Sequence, residues 1–262
     1  MIWTFHHIIV DGWCIAILIG DFTKFYNRLK AGENVKVIQK KLDSENLWEP
    51  QYKDYVELLQ DKDEGMNYWE NLLSGYDEMV EVKPIKELRG ELEAKREKCI
   101  INPAETKVLI EAAKQQHVTV NTMVETALGI LLARYNNVED VVYGKIVSGR
   151  DVELKGIDSM VGLFINTIPV RVQCEKDKTS REILLEQQKQ GTESITFSNC
   201  SLSKVQNLTR QKQDLIHVLF AYENYFIDEK NETEEKEEDV LDEPMNKIVI
   251  EEDCYFLGTY YT

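Results

Sequence analysis

Apolar residues recur at two different periods along the 262-residue chain, and the periods predict its elements. Residues 2–10 are apolar and β-branched around His6 and His7, the pattern of a buried strand, and Asp11-Gly12 breaks it. Beyond the break, Trp13, Ile17, Leu18, Phe22, Phe25, Tyr26 and Leu29 recur at helical spacing until Gly32, a residue suited to a helix C-cap. A second helical region covers residues 52–75, with Tyr68, Trp69, Leu72 and Leu73 as its buried face. Residues 99–101 read as the end of a strand. Asn102-Pro103-Ala104-Glu105 then supplies an N-cap, a proline at the first helical position and a glutamate at the third, which predicts a helix to Gln116. Thr119 predicts the next cap, ahead of a helix with Met123, Ala127, Ile130, Leu131 and Tyr135 at core spacing. Residues 141–147, 162–172 and 215–225 predict strands, with further strand material at 248–250 and 255–261. Thr179-Ser180-Arg181-Glu182 has the capping-box spacing for a helix after the second of these. Strands alternate with amphipathic helices, so the predicted class is α/β.

Composition narrows what such a chain does. With 43% hydrophobic and 9% aromatic residues it has material for a packed core, which excludes wholesale disorder. A net charge of −16 offers no cationic footprint for nucleic acid. Half of that charge falls in residues 228–243, ten acids against two lysines, which reads as a solvated surface insertion rather than a dock for a basic partner. No apolar run approaches the ~18 residues of a membrane span, and the N-terminus lacks the basic start and cleavage site of a secretory signal. Cys14, Cys99, Cys174, Cys200 and Cys254 are odd in number, far apart and free of any C-x-x-C pair. That usage fits the reducing cytoplasm, with buried or idle thiols, better than a disulfide frame or a zinc site. The charged, irregular stretch 81–96 is the expected boundary between two parts of the chain.

The sharpest candidate chemistry is His6-His7-Ile8-Ile9-Val10-Asp11-Gly12. Histidine titrates near neutrality, as a proton acceptor in group transfer requires. Successive side chains of a strand face opposite ways, so a strand here places His7, Ile9 and Asp11 on one face and His6 on the other. Asp11 is then placed to orient the histidine or to fix the turn through an ion pair. Two other readings compete: a packed, purely structural histidine pair, and part of a metal site. Opposite-facing neighbours do not chelate together and no further ligand lies near, which argues against a metal. His117 and His217 lack any comparable setting and read as structural.

The same seven residues match in full the His-His-x-x-x-Asp-Gly signature of nonribosomal peptide synthetase condensation domains, and Trp13 follows as is common in that family. The resemblance extends along the chain. Tyr52-Lys53-Asp54-Tyr55 is similar to the family's Tyr-x-Asp-Tyr element, and Tyr68-Trp69 with Leu72 and Gly75 resembles the helix after it. Asp140-Val141-Val142-Tyr143-Gly144 through Ser148-Gly149-Arg150, Val161-Gly162-Leu163-Phe164-Ile165-Asn166-Thr167, and Glu223-Asn224-Tyr225 resemble further family segments in the family's order.

The resemblance implies a chloramphenicol acetyltransferase-like fold, two similar α/β lobes in a V with the histidine motif at their junction. Residues 1–80 are expected to form the C-terminal part of the first lobe, and residues 81–262 most of the second with the acidic insertion 228–243, a domain truncated at both ends. The implied activity is amide formation between a donor acyl or peptidyl thioester and an acceptor aminoacyl thioester. Both are carried by phosphopantetheine arms that donor and acceptor carrier proteins deliver, beside an adenylation domain of the same synthetase. No cofactor, metal, nucleic acid or membrane is implied for the chain itself. His7 is the implied acceptor or orienter of the amine, with Asp11 as structural support, Gly12 in the motif, and His6, Trp13, Arg150 and Asn166 supporting. The arginine that pairs with Asp11 is expected to lie in the first lobe, outside this chain, leaving the strand at 2–10 with an exposed edge. Other readings of the motif are an epimerisation domain, which Trp13 disfavours, a free-standing coenzyme A acyltransferase, which the later segments disfavour, and a non-catalytic carrier-docking module or inactive remnant.

Overall fold

In a computed structural model the chain is described over residues 3–45, 50–60, 65–82 and 98–222. Four helices come first, α1 (Gly12–Lys30), α2 (Val35–Glu45), α3 (Tyr52–Gln60) and α4 (Met66–Leu73). They are followed by α5 (Pro103–Gln115), α6 (Val120–Asn136), β1 (Asp140–Val147), β2 (Asn166–Gln173), α7 (Ser180–Thr196), α8 (Leu202–Gln206) and β3 (Leu219–Phe220). The described residues up to 82 and from 102 to 222 make one compact unit, and residues 98–101 belong to a second.

The helix starts follow the sequence closely. Asn102 and Glu105 close a reciprocal capping box at α5, Thr179 and Glu182 close another at α7, and Thr119 caps α6. Each satisfies backbone N–H groups that the first helical turn leaves unpaired.

The described strands form one sheet in the order β2-β1-β3. β1 runs antiparallel to β2, with Tyr143 opposite Val170, and parallel to β3, with Gly144 opposite Leu219. The sheet's buried side chains fall into two packed clusters. Val142, Val147 and Ile168 pack with Trp69, Leu73 and Tyr76 in and after α4. Val141, Tyr143, Val170 and Val172 pack with Leu132 and Ala133 of α6 and Ile183 of α7. Arg171 ties α4 to the sheet: it forks onto Asp140, with Nη2 to Oδ2 at 2.6 Å, and its Nη1 donates to the carbonyls of Leu72 and Ser74 at 2.8 Å.

Several sequence expectations are corrected. Residues 3–10 are loop with a turn at 7–9, not a strand: the Ile9 N–H bonds back to the His6 carbonyl at 3.2 Å, and no described strand borders the segment to supply a ladder. Residues 99–101 are in no strand, and residues 162–165 precede β2 as loop. The region 52–75 contains two helices, α3 and α4. On α6 the buried positions are Thr122, Glu125, Thr126, Gly129, Leu132 and Ala133, while Leu131 and Tyr135 face solvent. Close packing explains that rotation, because a Cβ on Gly129 would lie 2.5 Å from Val172 Cγ2, so the helix turns its small residues to the sheet. Residues 223–225, 248–250, 255–261, the acidic run and Cys254 lie outside the described residues. No helix among the described residues is long and apolar enough to cross a membrane.

Burial of α6 brings in one ion pair, Lys145 Nζ to Glu125 Oε2 at 2.6 Å. Burial pushes the Glu125 carboxyl above its usual range, and Lys145 opposes that shift. Glu125→Ala, which strands the lysine, is expected to cost about 3–5 kcal/mol, whereas the double variant Glu125→Leu with Lys145→Met should be near neutral. Denaturant unfolding of both variants checks this.

Candidate functional site

Asp11 sits where helix α1 begins, and its carboxylate reaches across the fold. As the N-cap it accepts the Cys14 N–H on Oδ1 at 3.2 Å, satisfying one of the helix's free donors. Its Oδ2 accepts the Phe164 N–H at 2.9 Å, so one carboxylate joins α1 to the segment just before β2. The Arg150 guanidinium completes the site, with Nη2 3.7 Å from Oδ1 and both side chains almost fully buried. The expectation that the arginine partner of Asp11 lies outside the chain is therefore corrected: Arg150, already among the supporting residues, is that partner.

Arg150 does more than balance charge. It donates to the carbonyls of Ile157 and, at 3.1 Å, of Met160, tying down the connection between β1 and β2. Its planar face lies 3.9 Å from the Phe164 ring centroid and 5.7 Å from that of Trp13, a stacking that lysine cannot reproduce. Trp13 Nε1 in turn donates to the Asp158 carbonyl at 3.1 Å.

The segments that resemble the family's later motifs gather around this pair. The Tyr55 hydroxyl donates to the Gly149 carbonyl at 3.0 Å, and the Tyr52 hydroxyl to that of Leu163 at 2.6 Å. Burial pushes the Tyr55 hydroxyl up to about 12, so it remains a donor at neutral pH. Both rings contact Phe164, with centroids 5.1 Å away for Tyr52 and 4.6 Å for Tyr55. The glycines are required by the same closeness: a Cβ on Gly162 would overlap the Tyr52 ring, and one on Gly149 the Phe164 carbonyl oxygen. Gly149 also holds φ +68. Gly156, at φ +76, has nothing nearer than Ser159 Oγ at 3.8 Å and serves as the control. Gly156→Ala is expected to cost about 1 kcal/mol for its backbone alone, and Gly149→Ala at least twice that, as thermal unfolding can measure.

The histidines stand outside this buried cluster. His6 is exposed, and its Nδ1 accepts the Ile8 N–H at 3.0 Å, which tightens the turn. His7 is exposed, with no side-chain hydrogen bond among the described residues. Ile8 and Ile9 are both exposed and Val10 and Asp11 both buried, so the alternate-face assignment for His7, Ile9 and Asp11 does not hold. Gly12 opens α1 and is exposed. Asn166 lines a cavity of about 350 Å³ with Leu59, Met66 and Leu163. Its amide donates to the Ser198 carbonyl at 2.7 Å and the Cys200 carbonyl at 2.9 Å, which makes it a staple of that wall. Among the described residues no group of three His, Cys, Asp or Glu converges as metal ligands would.

Cys14 escapes sequence reasoning, in which its thiol reads as buried or idle. The available signal is its place three residues after an aspartate N-cap, on the first turn of a helix that buries no other residue.

Comparison with known proteins bears on the family and the fold. Residues 1–253 match the family described as Condensation domain. Bacitracin synthase 3 of Bacillus licheniformis is 40% identical over 234 residues, covering 87% of this chain and 4% of that protein. Tyrocidine synthase 3 of Brevibacillus parabrevis is 40% identical over 227 residues, covering 86% of this chain and 3% of that protein. Among solved structures, the first condensation domain of the CDA synthetase is similar at a TM-score of 0.61 and 17% identity, over 84% of this chain and 48% of that one. The X-domain from teicoplanin biosynthesis is similar at a TM-score of 0.55 and 23% identity, over 78% of this chain and 46% of that one. The chain thus spans a small fraction of these synthetases and about half of each solved chain.

Proposed function

Because the chain belongs to the condensation-domain family, we propose that it contributes to a peptide-bond-forming centre of a nonribosomal peptide synthetase. The substrates are two thioesters on phosphopantetheine arms, a donor acyl or peptidyl group and an acceptor aminoacyl group, each brought by its own carrier protein. An adenylation domain of the same synthetase loads the acceptor, the work is cytoplasmic, and the product is a peptide of the antibiotic class. The acceptor's α-amine attacks the donor carbonyl carbon, the C–N bond forms, the C–S bond breaks, and the chain passes to the acceptor. The proton lost by nitrogen goes to the His7 imidazole and from there to the departing thiolate.

One observation supports His7 in that role above the rest: it stands exposed on a short turn whose far end is fixed by the buried Asp11–Arg150 pair. A reacting group needs access, and it needs a fixed position; the turn offers the first and the pair the second. An α-amine with a pKa near ~7.7 is partly unprotonated at neutral pH, so His7 needs only to take the proton as the bond forms and to orient the amine. Gly12 is the first residue of α1. Residues 1–80 belong, in this reading, to the first lobe and residues 81–262 to the second.

The test is a reaction of donor-loaded and acceptor-loaded carrier proteins with this sequence carried in a whole condensation domain. Mass spectrometry of the acceptor carrier is expected to show the dipeptidyl species. An acceptor that stays aminoacylated while the donor is only hydrolysed contradicts the proposal.

A further inference from the structure

The thiol of Cys14 is fully buried and surrounded by the polar groups that lock the site, an unusual setting for a side chain that most often packs as a small hydrophobe. Its Sγ lies 3.2 Å from Asp11 Oδ1 and 3.1 Å from the Gly162 carbonyl oxygen, the two acceptors within reach of its hydrogen. It also receives the Gly162 N–H at 3.3 Å and Arg150 Nη2 at 3.4 Å. One side chain therefore meets the motif aspartate, its arginine and the loop before β2. We propose that Cys14 is a positioning residue for the condensation reaction, acting through the Asp11 carboxylate and Arg150 on the turn that presents His7; this rests on the peptide-bond reading above.

The chemistry of the sulfur fits that role. A thiol has one hydrogen and a large, soft acceptor surface, so it can donate to one neighbouring oxygen while the two N–H groups approach it from elsewhere. An apolar side chain of similar size fills the space and leaves the Gly162 N–H and one Arg150 donor short of a partner. Serine keeps the donor and the acceptor and reaches less far. Both consequences are felt at Asp11, whose Oδ1 is shared by the Cys14 backbone, the Cys14 thiol and Arg150.

The experiment is steady-state amide formation by a whole domain carrying Cys14→Ala or Cys14→Ser, with KM for both loaded carriers and kcat measured well below the unfolding temperature. Cys14→Ala is expected to lower kcat about tenfold, the size of one hydrogen bond to a charged group, with KM unchanged. Cys14→Ser is expected to recover kcat to within about threefold of the parent, since the polar contacts return. A Cys14→Ala variant that melts earlier but keeps its kcat makes Cys14 a packing residue and overturns the proposal. So does a serine variant as slow as the alanine one, because restored polarity then counts for nothing. If the unaltered domain forms no amide at all, the peptide-bond reading fails first and this role fails with it.

Discussion

Replacing His7 by alanine in a whole condensation domain is expected to slow single-turnover amide formation by about 10²–10⁴-fold, the range of a positioned proton acceptor. Thermal unfolding should not move, because the His7 side chain is exposed and makes no hydrogen bond among the described residues. His6→Ala should behave differently. It removes the imidazole that accepts the Ile8 N–H and so loosens the turn, at a cost of no more than about 1 kcal/mol for one exposed hydrogen bond. Its turnover should fall far less than that of His7→Ala. Normal turnover in the His7 variant beside an inactive but folded His6 variant would reverse the two roles. If both variants remain fully active, the histidine motif does not carry the chemistry, and a carrier-docking module becomes the better description.

Arg150→Met is expected to show the opposite signature, a large loss of stability. It leaves the buried Asp11 carboxylate without its counter-charge, and removing one partner of a buried pair costs about 3–5 kcal/mol. The carbonyls of Ile157 and Met160 lose the guanidinium as a donor in the same step, the first keeping only the Met160 N–H, so the connection between β1 and β2 is loosened as well. Methionine keeps much of the volume over Phe164, which limits the cavity term and makes the loss a reading of charge and hydrogen bonds. Urea unfolding gives the number. A change below about 1 kcal/mol would mean that the pair is solvated and holds nothing.

How much of the fold is legible in the sequence varies by element, for physical reasons. The capping boxes at Asn102 and Thr179 are readable because a cap joins residues only three apart, and both form as the spacing predicts. β1 is legible as a short, largely apolar run and β2 from the alternation of Ile168, Val170 and Val172. The strand expected at residues 2–10 fails because a strand is a property of two chains side by side, and composition says nothing about whether a neighbour borders it. The α6 face differs from the pattern by one position along the helix because it approaches Val172 so closely at Gly129 that no side chain fits there. At the site, resemblance finds the motif residues and singles out Arg150, without pairing it to Asp11. That pairing needs the path of the chain between the two residues, which no spacing rule supplies. Cys14 is invisible for the same reason, since three of its four polar side-chain contacts are to residues far along the chain.

At the Asp11–Arg150 pair the histidine turn, helix α1 and the loop before β2 are fastened together. A double-mutant cycle measures that directly: urea unfolding of the parent, Asp11→Ala, Arg150→Met and the double variant. Because each single change strands the other charge in the interior, the double variant is expected to be less destabilised than the sum of the singles by about 2 kcal/mol or more. Additivity within about 0.5 kcal/mol would show that the two residues do not feel each other, and would contradict the fastening role assigned to them.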